Sequence, residues 1–133
     1  MTYRFYEHTS DLIIEGENKD FPSALADVAS GMFTQIGGDE ASDESSIKVE
    51  VSSGSKEGLV VALLTKIIAQ CEIENFTPKS IEITSYDSRK FSITAIVRGE
   101  GKPAESIIKA VTYHELEVEE KEGSCRIKVL FDI

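Results

Sequence analysis

Ser124-Cys125-Arg126-Ile127-Lys128-Val129-Leu130-Phe131-Asp132-Ile133 closes the sequence and reads as a half-buried strand. Side chains alternate across a strand. Cys125, Ile127, Val129, Phe131 and Ile133 therefore take one face, and Arg126, Lys128 and Asp132 the other. Glu122-Gly123 is the turn before it, and Ile108 to Glu119 is the strand that runs into that turn. Counting back from Leu116 and Val118 predicts that Ile108, Ala110, Thr112 and His114 share the apolar face. Lys109, Val111 and Tyr113 then fall on the opposite one. Cross-strand partners point the same way, so Asp132 is predicted close to Tyr113, with Lys109 further along. His114 reads as a partly buried, hydrogen-bonded histidine.

Outward from this hairpin the pattern repeats. Ile81 and Ile83 open a strand, Tyr86-Asp87-Ser88-Arg89 turns, and Phe91, Ile93, Ala95 and Val97 alternate back, with a loop from Gly99 to Pro103. Upstream, Ser55 is a helix N-cap with Glu57 near the positive helix end. Val60, Leu63, Leu64, Ile67, Ile68 and Cys71 make a helical stripe that stops near Glu74-Asn75, before Pro78. Asp20 caps an earlier helix, with Pro22 in its first turn. Leu25, Val28, Ala29, Met32, Phe33 and Ile36 form the stripe, and Gly37-Gly38 the stop. An acidic loop spans Gly38 to Ser46, and Ile47, Val49 and Val51 mark a strand between the helices. Tyr3 to Tyr6 and Leu12 to Gly16 read as two short strands. The prediction is an α+β fold, one domain over residues 1–133, with two amphipathic helices packed on mainly antiparallel sheet.

With 133 residues, 41% hydrophobic, such a domain needs neither disulfide nor metal to stabilise its core. Asp and Glu number 24 against 14 Lys and Arg, a net charge of −10. A protein that grips a nucleic-acid backbone presents a basic face, and no basic run exists here. Tight direct RNA binding is not expected, and the acidic surface suits a basic protein partner. Cys71 and Cys125 both fall on apolar stripes and read as buried thiols, which fits a reducing compartment. No apolar leader or membrane-length run is present, so the expectation is a cytoplasmic protein.

The chemistry gathers near the two ends of the sequence. Asp132 stands beside the terminal carboxylate of Ile133. Two neighbouring anions repel unless a cation or basic side chain joins them, and hard cations such as Ca²⁺ or Mg²⁺ prefer carboxylate oxygen. The plainer reading is a solvated aspartate at a strand end. Taken alone, Asp11 is a turn aspartate, Lys109 a surface lysine and His8 part of a capped turn.

Together these segments resemble the archease family. Glu7-His8-Thr9-Ser10-Asp11 is similar to that family's Glu-His-Thr-Ala-Asp. Lys109-Ala110-Val111-Thr112-Tyr113-His114, followed by the ending Phe131-Asp132-Ile133, resembles its C-terminal motifs. The two helices also match in position, so the resemblance covers nearly the whole chain. It implies a divalent metal site made by Asp11, Asp132 and the Ile133 carboxylate, occupied by Ca²⁺ in vitro, with Mg²⁺ or Mn²⁺ as alternatives. It implies a functional lysine at Lys109, while His8 would orient the motif loop. It also implies an accessory role without catalytic residues: activation of an RtcB-type tRNA-splicing RNA ligase by promoting its metal-dependent guanylylation and repeated turnover. The sequence departs from the family pattern at Ser10, in lacking a Trp near the start of the second helix, and in a short Gly99–Ile107 segment without histidine. Alternative readings are a metal-binding chaperone of tRNA-modifying enzymes and a small metal-dependent phosphohydrolase. Against the last, no phosphate-cradling glycine loop or nucleophile–base pair is present.

Overall fold

The computed structural model describes residues 2–7 and 11–133, apart from the side chains of Tyr6 and Glu7. In chain order the elements are β1 (Thr2–Glu7), β2 (Asp11–Asn18), α1 (Phe21–Gln35), a 3-10 turn (Gly38–Glu40) and β3 (Ser45–Ser52). Then come α2 (Lys56–Glu74), β4 (Thr77–Asp87), β5 (Ser92–Glu100), β6 (Ala110–Lys121) and β7 (Ser124–Asp132). The strands build two sheets, ordered β1-β2-β7-β6 and β3-β5-β4, and every pairing is antiparallel. The α+β architecture and the order of elements agree with the sequence reading.

The helices start and stop for local reasons. Asp20 accepts the Ser23 N–H at 2.9 Å, and Ser55 accepts that of Gly58 at 3.0 Å. Each cap satisfies a donor that has no partner inside its helix. Gly37 after α1 (φ 102°) and Asn75 after α2 (φ 50°) both adopt the left-handed conformation that ends a helix. Pro78 lies in β4, beyond the expected helix end, and a sheet edge tolerates its missing N–H. β5 runs on to Glu100, so Gly99 and Glu100 belong to a strand rather than to the predicted loop.

Each helix touches both sheets. α1 packs on β2 and β7 of the first and on β4 of the second, while α2 meets β6 of the first and β3 of the second. The core therefore lies around the helices. Leu12 and Ile14 of β2, Ile127, Val129 and Phe131 of β7, and Ile93, Ala95 and Val97 of β5 close on it. Leu25, Val28 and Met32 of α1 and Leu59, Leu63 and Ile67 of α2 fill it. Each fully buried Leu, Ile or Phe contributes about 1.5–3 kcal/mol. Cys71 and Cys125 are free thiols buried in this core, and desolvation pushes them up to about 12 and about 11 respectively.

Candidate functional site

β2 and β7 are the two central strands of the four-stranded sheet, and their register fixes the site. Leu12 opposes Phe131, and both are fully buried on the helix-facing side. One residue on, Asp11 opposes Asp132, which places both carboxylates on the outer face. Directly opposed residues have Cα atoms about 4.5–5.5 Å apart. On the other side of Asp132 stands Ala110 of β6, and the Lys109 N–H donates to the Asp132 carbonyl at 2.8 Å. Ile133 follows Asp132 directly. Asp11 and Asp132 are half-buried, Lys109 and Ile133 exposed.

Among the described residues, no basic side chain pairs with either carboxylate. Two like charges held side by side repel, and a cation between them turns that repulsion into attraction. The donors are oxygens, so the fit is to a hard divalent ion. No group of three His, Cys, Asp or Glu side chains gathers at metal-binding distance among the described residues. Two carboxylates alone fall short of the donor number a hard cation takes, and Ile133 follows Asp132 in the chain.

Asp11, Asp132, Ile133 and Lys109 thus come together at one end of the domain. His8, Thr9 and Ser10 lie outside the described residues. Tyr113 is not the partner of Asp132, because β6 carries a bulge. Thr112 pairs with Leu130 and Glu117 with Lys128, so residues 113–116 stand opposite the single residue Val129. The odd surplus reverses the faces upstream of it. Val111 turns toward the core, Ala110 and Thr112 turn outward, and His114 is exposed rather than partly buried. Glu115, at φ 57°, carries the kink. Tyr113 lies instead beside a shallow groove edged by Glu50 of β3 and Lys66 of α2.

Two further features escaped the sequence reading. On the same outer face, Arg126 bonds Glu15 of β2 (3.0 Å) and Glu117 (2.8 Å) and Glu119 (3.1 Å) of β6. One guanidinium thereby ties the two central strands to the edge strand β6, and these acids hold it above its ordinary value. The other is a groove of about 200 Å³ where the C-terminal end of α2 meets the segment before β6. Its residues come from three separate segments, so no periodicity announces it.

The profile of the archease protein family matches residues 3–133. A Methanosarcina mazei archease is 29% identical over 139 residues, covering 98% of this chain and 95% of that protein. An archease-like protein of Dictyostelium discoideum is 26% identical, covering 98% and 93%. The solution structure of Methanobacterium thermoautotrophicum protein 1598 superposes with a TM-score of 0.81 at 20% identity, covering 98% of each chain. A Thermotoga maritima archease, described as a possible chaperone, gives 0.69 at 20% identity, covering 100% of this chain and 98% of that one. At such identity the two likenesses concern the fold.

Proposed function

This chain belongs to the archease protein family, and from that membership we propose that it is an accessory protein that activates an RtcB-type tRNA-splicing RNA ligase. The observation that carries the reading is the cross-strand pair Asp11–Asp132 with Lys109 bonded beside it. These are the residues on which the family motifs fall, and they converge although they are far apart in sequence. Asp11, Asp132 and the Ile133 carboxylate would hold a divalent cation, which when bound supplies positive charge close to the ligase's nucleotide phosphates. Lys109 adds a mobile point charge on an exposed stem. In this reading the chain stabilises charge that develops on the ligase and carries no catalytic residue of its own.

The test is guanylylation of a purified RtcB-type ligase with GTP and metal. Wild type should accelerate it. Lys109→Ala should lower the stimulation by about tenfold, the effect of losing one charge contact of about 1.4 kcal/mol, with the melting curve unchanged. Equal stimulation by the variant removes Lys109 from the mechanism. Hydrolysis of GTP by this protein alone, lost in Asp132→Ala, makes it a phosphohydrolase instead.

A further inference from the structure

The groove where α2 ends differs in chemistry from the candidate cation site. Its walls are Ile36, Ile68, Cys71, Pro103, Ile107 and Ile108, and its volume is about 200 Å³. Small-molecule sites occupy about 300–1,000 Å³, so this one suits a large aliphatic side chain better than a cofactor. Ile107 stands at its edge, 72% exposed.

The surroundings are acidic. Glu72 lines the groove. Glu105 sits beside it, its N–H donating to the Ile36 carbonyl at 3.1 Å and its side chain lying over Gly37. α1 ends at Gln35 and α2 at Glu74, and the groove contains Ile36 and Asn75, the residues just past those ends. Both helices therefore direct the negative end of their dipoles here. Lys102, which precedes Pro103, is turned to the Glu100 carboxylate (3.9 Å) and the Glu40 carbonyl (3.4 Å). Ile108 leads directly into Lys109, whose N–H is bonded to Asp132.

We infer that this groove docks a segment of a partner protein that carries a large aliphatic side chain flanked by lysine or arginine. The apolar walls take the aliphatic anchor, and the acidic rim selects the flanking charges. A second copy of this chain is the wrong occupant, because each copy carries a net charge of −10 and would bring the same acidic rim to itself. The inference rests on the accessory-protein reading only in taking the ligase as the source of the segment. Ile108 of the groove directly precedes Lys109, so docking there would hold the ligase one residue of chain from the proposed site.

Two arms separate the claims. In the first, the ¹⁵N-labelled full chain is titrated with the acetylated, amidated peptide Lys-Arg-Leu-Leu-Arg-Lys. Controls are the same peptide with alanine for both leucines, and its acidic counterpart Glu-Asp-Leu-Leu-Asp-Glu. Only the first should shift the amides of Ile68, Cys71 and Ile107. Ile107→Ser and Glu72→Lys should each weaken it by about fivefold or more, as loss of an anchor or a complementary charge does. No shift, or equal shifts with the alanine or acidic peptide, overturns the groove's assignment. In the second arm, an RtcB-type ligase is titrated with the variants. Ile107→Ser should raise Kd by about tenfold yet restore full guanylylation at saturation, whereas Asp132→Ala should bind normally and stimulate poorly. Unchanged ligase affinity in both groove variants overturns the ligase as occupant and leaves the proposed function standing. A ligase that wild type neither binds nor stimulates ends the proposed function, while the peptide arm still decides the groove.

Discussion

Asp11 and Asp132 oppose each other across two central strands, without a basic partner among the described residues. If they hold a cation, calorimetry with Ca²⁺ should find one site, weakened by more than about tenfold in Asp132→Ala because half of the paired charge is gone. Equal binding by both proteins would remove the pair from the site. Extending the chain past Ile133 should also weaken it, since an amide carbonyl replaces a charged oxygen. Asp27 poses a different problem. It is fully buried on α1, where its carboxylate accepts from the Asn18 Nδ2 at 3.0 Å. Desolvation raises its carboxyl above the ordinary 3.8, against the lowering effect of Asn18. A raised folded-state value means that the neutral acid favours folding. Its contribution is full below 3.8 and is lost as pH rises through the raised value. Asp27→Asn should accordingly gain thermal stability relative to wild type as pH climbs through that window. A parallel pH dependence of Tm in the two proteins would contradict this. Neither aspartate's role was readable from spacing. Asp11 stood out only through its motif, and Asp27 shared a helix with nothing to mark it.

Elements were legible where chemistry punctuates the chain. Asp20 and Ser55 cap, Gly37 and Asn75 stop, and the helices follow from them. The strand β6 was legible but its facing before Glu117 was not, because alternation is counted through a bulge that leaves no trace in residue type. Glu115 takes a left-handed turn that glycine would have advertised. Contact between elements also depends on a residue whose purpose the sequence hides. Gly16 lies in β2 beneath α1, and a Cβ there would come within 2.7 Å of the Ala24 carbonyl oxygen and 2.9 Å of Val28. The helix backbone cannot yield as a flexible side chain can. Gly16→Ala should cost about 1–3 kcal/mol through overpacking, seen as a lower urea midpoint with an unchanged slope. A neutral result would mean that α1 can slide on the sheet.

Across the whole molecule, charge is the property most directly read from composition. At −10, and without a basic stripe, the protein should bind free tRNA poorly at physiological salt. Tight, salt-sensitive retention in a filter assay without the ligase would count against an accessory role. Strand order beyond the β4–β5 and β6–β7 hairpins, by contrast, could not be read. Alternation says that a segment is a strand and which side is apolar, but not which neighbour it takes. β2 pairs with β7, and Arg126 reaches Glu15 across 111 positions of chain. That non-local pairing has a kinetic side. Loops of this length close slowly, and folds dominated by distant strand pairs fold in about milliseconds to seconds. Local hairpins such as β4–β5 and β6–β7 can form early, whereas Asp11 meets Asp132 only when β2 and β7, the second and last strands, zip together. The paired carboxylates thus exist only where that non-local pairing is intact, and local unfolding of either strand takes them apart.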